Sequence, residues 1–188
     1  PRSTPKPSSA ASDVYKRQII HARKAILNGL DPKKNREIPP LDYDLVRLIK
    51  RKWPELNLVL NGGINSIEKA KKELNSNQYD PDGIMMGRAA YIDPFILTNI
   101  DNVFYKDKKI SHSRFDIVRE MIPYIESEIA NGTYINHITR HMLGLFHGVK
   151  GAKVWRSYLS ENAPKRKSDI NVIKEALIKI EEIQKEVA

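Results

Sequence analysis

Two short glycine-bearing segments hold the residue types best suited to grip an anion. They are Asn61-Gly62-Gly63-Ile64, after the apolar run Leu58-Val59-Leu60, and Gly87-Arg88, after Gly83-Ile84-Met85-Met86. Each follows a run that reads as a buried strand and precedes a helical pattern, so backbone N–H groups at a helix start would face the C-terminal side of the strands. Gly62 and Gly63 permit backbone angles and a close approach that a side chain would obstruct. Arg88 adds a fork of donors suited to phosphate oxygens. Two successive strand-turn-helix units sharing one anion are what the last loops of a (β/α)8 barrel provide. A single Gly-Gly turn is equally compatible with a tight strand-to-helix connection that holds no ligand, and it is the second turn that favours an anion.

The elements that must position these residues follow a simple grammar. From Ile19 to about Tyr91 strand and helix patterns alternate, beginning with Ile19-Ile20-His21, which reads as the end of a strand. The polar stretch Asn28 to Arg36 reads as a long loop carrying basic side chains. Leu41, Leu45, Leu48 and Ile49 then share a helix face, Pro54 ends that helix, and Lys50, Arg51 and Lys52 complement its dipole. Asn65 and Glu68 form a capping box for a helix through Leu74, and Asp80-Pro81-Asp82-Gly83 turns the chain into the next strand. This alternation predicts parallel pairing. Beyond Pro94 the strand patterns stop. Phe95 to Tyr105 is a connector, and Ser113 with Asp116 caps a helix running to Asn131-Gly132. Further helices are expected over 133–146, 152–159 and 170–187. The expected organisation is a leading segment 1–18 without structure, read as a tag or misjoined piece, an α/β part 19–94, a connector 95–112 and a helical part 113–188.

Composition narrows the chemistry further. With 188 residues, 40% of them hydrophobic, the chain can bury one good core or two small ones. No stretch is long and apolar enough to span a bilayer, and there is no apolar signal-peptide core, so the expectation is a cytoplasmic protein. The absence of cysteine rules out disulfides, thiolate metal sites and a cysteine acid or nucleophile within this chain. A net charge of +9 favours a polyanionic partner such as RNA, although a solvated lysine-rich surface has the same composition. His137 and His141 stand at i and i+4 without a carboxylate at suitable spacing, which favours capping or RNA-facing roles, and no metal site is assigned.

His21-Ala22-Arg23-Lys24-Ala25, Asn35-Arg36-Glu37-Ile38-Pro39-Pro40-Leu41-Asp42-Tyr43, Asn61-Gly62-Gly63-Ile64 and Met86-Gly87-Arg88-Ala89-Ala90-Tyr91 together resemble the tRNA-dihydrouridine synthases. Ile138 to Phe146 and Trp155 to Ala163 resemble the helical domain of the bacterial A-type subfamily. The resemblance runs from about Ile19 to the C-terminus. It implies α/β followed by all-α: the C-terminal part of an FMN-binding (β/α)8 TIM barrel, about its last three strand-helix units, plus a helical tRNA-binding domain. His21, Asn61, Gly62, Gly63, Gly87 and Arg88 stand where the family contacts FMN. Without the resemblance, His21 reads more readily as a satisfied histidine under a loop. Lys33 and Arg36, with Lys153 and Arg156, stand at the positions of the subfamily's tRNA-binding signature. Taken alone, such a basic pair on a helix reads as a solvated face.

In the family, NADPH reduces FMN, and hydride passes to the uracil of a D-loop uridine while an acidic cysteine protonates the neighbouring carbon. The base must leave its stack for this, so the tRNA is held by shape and backbone charge. The family's cysteine and an FMN-binding lysine belong to the front of the barrel, and this chain has no cysteine, so no catalytic residue is assigned. The resemblance implies a fragment that does not turn over, retains FMN poorly, tends to associate through an open strand edge and has no stable protein partner, the family being monomeric. Two other readings stay open: a non-catalytic RNA-binding helical module, and another flavin-dependent barrel oxidoreductase acting on a small molecule.

Overall fold

The computed structural model describes residues 17–75, 78–106 and 112–186. Most of the expected leading segment, residues 1–16, therefore lies outside the described residues. Gln18, read as part of that segment, is instead the first residue of strand β1 (Gln18–His21), because its amide reaches the Asn57 carbonyl at 2.8 Å. The chain divides into two compact units, the first ending at Gly87 and the second starting at Arg88.

In the first unit β1, β2 (Leu58–Asn61) and β3 (Gly83–Met85) form a parallel sheet in the order β1-β2-β3. The expected βαβ alternation is present. Helix α1 (Pro32–Asn35) and helix α2 (Tyr43–Lys52) connect β1 to β2, and α3 (Ile67–Leu74) connects β2 to β3. Leu58, Val59 and Leu60 are buried with Ala22, Val46, Ile64 and Ala70, a continuous apolar strand being what a covered parallel sheet requires. Two expectations need correction here. Val46 is the buried residue of α2, whereas Leu45 and Leu48 are exposed. The N-cap of α3 is Ser66, whose hydroxyl accepts the Lys69 amide at 3.1 Å, and not Asn65.

Arg47 on α2 ties the unit together, donating to Asp80 at 2.8 Å and Glu73 at 2.5 Å. The Asp80 hydrogen bond leads the contributions that raise the guanidinium pKa above its ordinary value, against an opposing effect of burial.

The described elements of the second unit are all helical. Helix α4 (Arg88–Ile92) is followed by a 3-10 turn over Pro94–Asn99 and α5 (Ile100–Tyr105), where a connector was expected. Helix α6 (Arg114–Ala130) starts at the expected Ser113–Asp116 capping box and carries Pro123 in its interior. Helix α7 spans only Ile135–Thr139, and the chain then proceeds through turns, so the helix expected to Phe146 is much shorter. Helices α8 (Ala152–Asn162) and α9 (Asn171–Lys185) pack together, with Gly151 pressed against Ile180.

The core of this unit gathers Val118, Ile125, Phe146, Trp155, Leu159, Ile173 and Ile180, all essentially without solvent contact. The Phe146 and Trp155 rings lie 4.8 Å apart, and the buried Trp155 indole donates to the Met142 carbonyl at 3.0 Å. Among the described residues, no helix is long and apolar enough to cross a membrane.

Candidate functional site

The C-terminal edge of the sheet brings together four of the residues singled out by sequence. His21 ends β1 and Asn61 ends β2, and they are register partners, so they sit side by side. The ladder continues one step further through the Ala22 amide to the Asn61 carbonyl at 2.8 Å. Gly62 and Gly63 follow at once, with φ of +117° and +66°. A Cβ added at Gly62 would lie 3.2 Å from the His21 ring and 2.9 Å from the Leu41 side chain, and at Gly63 it would collide with Leu41. Both the backbone angle and the close packing therefore favour glycine.

The carbonyls of this turn are fixed by side chains. Tyr43 Oη donates to Gly62 O at 2.7 Å, and Lys69 Nζ donates to Gly63 O at 2.8 Å. The same Lys69 ammonium stands 5.5 Å from the Tyr43 ring centre. The amides of Gly62 and Gly63, in contrast, donate to no protein acceptor among the described residues. Carbonyls held by side chains and amides without a protein acceptor are what an anion cradle needs; Gly63 is exposed and Gly62 buried, so of the two it is the Gly63 side of the turn that faces solvent.

Met85, the last residue of β3, is the register partner of Asn61, and Gly87 comes two residues later. A Cβ at Gly87 would meet nothing within 4 Å. Arg88 opens α4 in the second unit and is exposed.

The basic candidates lie on two separate elements. Lys33 is in α1 and Arg36 is its C-cap, both exposed. Asp31 starts α1 by accepting the Lys33 amide at 2.8 Å. Asn35 pins the preceding loop, its side chain accepting from the Ile26 amide at 2.7 Å and donating to the Ile26 carbonyl at 2.9 Å. On α8, Lys153 and Arg156 are exposed, while Trp155 and Leu159 on the same helix are buried. Neither Lys153 nor Arg156 has an ion-pair partner among the described residues.

Sequence reasoning did not single out Tyr43 and Lys69 as supports of the glycine turn. Only the Tyr43 position in the Pro40-Leu41-Asp42-Tyr43 motif drew attention to it, and nothing local signals Lys69. His141, read from sequence as a capping or RNA-facing histidine, hydrogen-bonds Tyr91 Oη through Nδ1 at 3.1 Å. Among the described residues, no group of His, Asp and Glu side chains could hold a metal ion.

The family model described as dihydrouridine synthase (Dus) matches residues 15–183. The tRNA-dihydrouridine(20/20a) synthase of Escherichia coli strain K12 is 54% identical over 159 residues, covering 85% of this chain and 45% of the relative. The protein of the same name from Shewanella oneidensis is 52% identical over 156 residues, covering 83% and 45%. That from Vibrio vulnificus is 48% identical over 161 residues, covering 86% and 48%. The chain spans about half the length of the curated relatives it matches.

Proposed function

The chain belongs to the dihydrouridine synthase family, and from that premise we propose that it supplies part of the FMN site and of the tRNA-binding surface of a tRNA-dihydrouridine synthase. The observation that carries the cofactor half is the glycine turn, with two amides that have no protein acceptor among the described residues and both carbonyls held, beside the register pair His21 and Asn61. In this proposal the three parallel strands are the sixth to eighth of a (β/α)8 barrel, where the last loops commonly bind phosphate. The Gly62, Gly63 and Gly87 amides and the Arg88 guanidinium neutralise the FMN phosphate, while His21 and Asn61 hydrogen-bond the flavin or its phosphate arm. Bound FMN, reduced by NADPH, would supply hydride to a uridine of the tRNA D-loop.

Lys33, Arg36, Lys153 and Arg156 hold the tRNA backbone in this proposal. The exposed cations of α8 are suited to phosphates because Lys153 and Arg156 stand three residues apart, on neighbouring positions of the helix surface. No residue of this chain is assigned the proton transfer, since the sequence contains no cysteine. The chain by itself is therefore expected to bind tRNA without reducing it.

Titration with an unmodified tRNA transcript at several salt concentrations tests this. Lys153→Gln with Arg156→Gln should lower the slope of log affinity against log salt by nearly two. Binding indifferent to salt and to both changes overturns the RNA half, and NADPH-dependent uridine reduction by the isolated chain overturns the assignment of the chemistry elsewhere.

A further inference from the structure

A groove of about 530 Å³ opens in the second unit between the turn that precedes α7 and the segment that follows α8. One side presents Tyr134, the N-cap of α7, which is 75% exposed. The His137 ring lies 5.9 Å from it at an interplanar angle of 69°, and the tyrosine keeps most of its surface open to solvent. The other side presents Pro164, Lys165, Arg166 and Lys167, with all three cations exposed.

This basic turn is held in place rather than loosely displayed. Ser168 Oγ lies 2.6 Å from the Asn162 carbonyl and 2.8 Å from the Lys165 carbonyl, so its single proton is shared between the two. Lys165 Nζ donates to Asn162 Oδ1 at 2.7 Å, and Asn162 Nδ2 is anchored on the Tyr158 carbonyl at 2.8 Å. Lys167 adopts a φ of +70°, which L side chains disfavour. Arg166 and Lys167 have no ion-pair partner among the described residues.

The charged residues that line the groove are Lys165, Arg166 and Lys167, with no acid among them, and charge is segregated along this part of the chain as well. Residues 129–168 contain seven Lys or Arg side chains and a single acid, Glu161. The acids flanking that stretch are engaged: Glu128 accepts from Thr133 Oγ1 at 3.0 Å, and Asp169 accepts the Asn171 amide at 2.9 Å. An exposed aromatic face beside unpaired, preorganised cations matches an unstacked base with its flanking phosphates. An acidic peptide would use the cations and leave the aromatic face idle.

We propose that this groove is a second RNA contact, in which an unpaired nucleotide stacks on Tyr134 and its phosphates lie against Lys165, Arg166 and Lys167. It rests on the RNA-binding reading above and adds a site at the opposite end of α8 from Lys153, about 15 Å along the helix.

The test uses the 188-residue chain and a fluorescein-labelled unmodified tRNA transcript, with circular dichroism to confirm folding of each variant. Tyr134→Ala should weaken binding about 5- to 150-fold with little change in salt slope, while Tyr134→Phe retains most of the affinity. Joint Lys165→Gln, Arg166→Gln and Lys167→Gln should lower the salt slope by about two to three. A transcript carrying 4-thiouridine, irradiated with the unaltered chain, should crosslink to a peptide containing Tyr134 or residues 163–168. Unchanged affinity of Tyr134→Ala, or crosslinks confined to other peptides, overturns the groove assignment. If Lys153→Gln with Arg156→Gln still weakens binding in that case, the reading of the chain as RNA-binding survives. Absence of salt-dependent binding by the unaltered chain overturns both.

Discussion

At the residue scale, the pairing of Lys50 with Asp82 shows how a surface ion pair is made to matter. Asp82 accepts from Lys50 Nζ at 2.8 Å and from the Leu58 amide at 2.8 Å, so it anchors the start of β2. Burial works to raise its pKa, and the Lys50 and Leu58 hydrogen bonds together with the Lys50 charge outweigh it, holding the carboxyl below its ordinary 3.8. A carboxylate depressed in the folded state contributes stability that is present above its unfolded value and is lost as pH falls through its lower folded value. Asp82→Asn should therefore flatten the fall of melting temperature with acidification below about pH 4. Melting curves of both proteins between neutral and acid pH check this, and parallel curves would refute it. The basic end of α2 was readable in sequence, but the carboxylate that Lys50 meets lies across the sheet connection. The same holds for the glycine turn: its residue types were visible locally, whereas Tyr43 and Lys69 reach it only once β2 and its flanking helices are in place.

At the scale of elements, caps and packing compete to decide where helices begin and end. The Ser113–Asp116 capping box is local, and α6 begins there as its sequence predicts. The predicted Asn65–Glu68 box fails because the chain leaving Gly63 makes Ser66, with an extended backbone, the acceptor for the Lys69 amide. Helix α7 stops early for a tertiary reason. The Met142 carbonyl accepts both the Trp155 indole and the Leu145 amide three residues on, a turn rather than an α-helical bond, and Gly144 packs so closely on the Ile92 carbonyl that a Cβ could not be fitted. Met142, Leu145 and Phe146 remain buried, so turns serve the core where a helix was expected. Trp155→Ala should remove about 3–5 kcal/mol by opening a cavity beside Phe146. Urea unfolding followed by circular dichroism measures this, and a loss below about 1 kcal/mol would refute the central place given to α8.

At the scale of the whole molecule, each unit has its own apolar core and one of the two tryptophans. Trp53 is 42% exposed in the first unit and Trp155 is fully buried in the second. Single-tryptophan chains made by Trp53→Phe or Trp155→Phe should therefore report distinct urea midpoints for the two units. Coincident midpoints would show one cooperative transition. The parallel βαβ alternation, the two glycine turns, the helical second half and the family resemblance are all present in the sequence, because period, turn chemistry and motif order are local properties of a chain. Tertiary structure alone decided that His21 lies beside Asn61, that α2 buries Val46 rather than Leu45 and Leu48, and that Tyr134 faces the Lys165-Arg166-Lys167 turn. Those outcomes depend on strand register and on contacts between distant segments, which burial of the cores selects and no local pattern encodes.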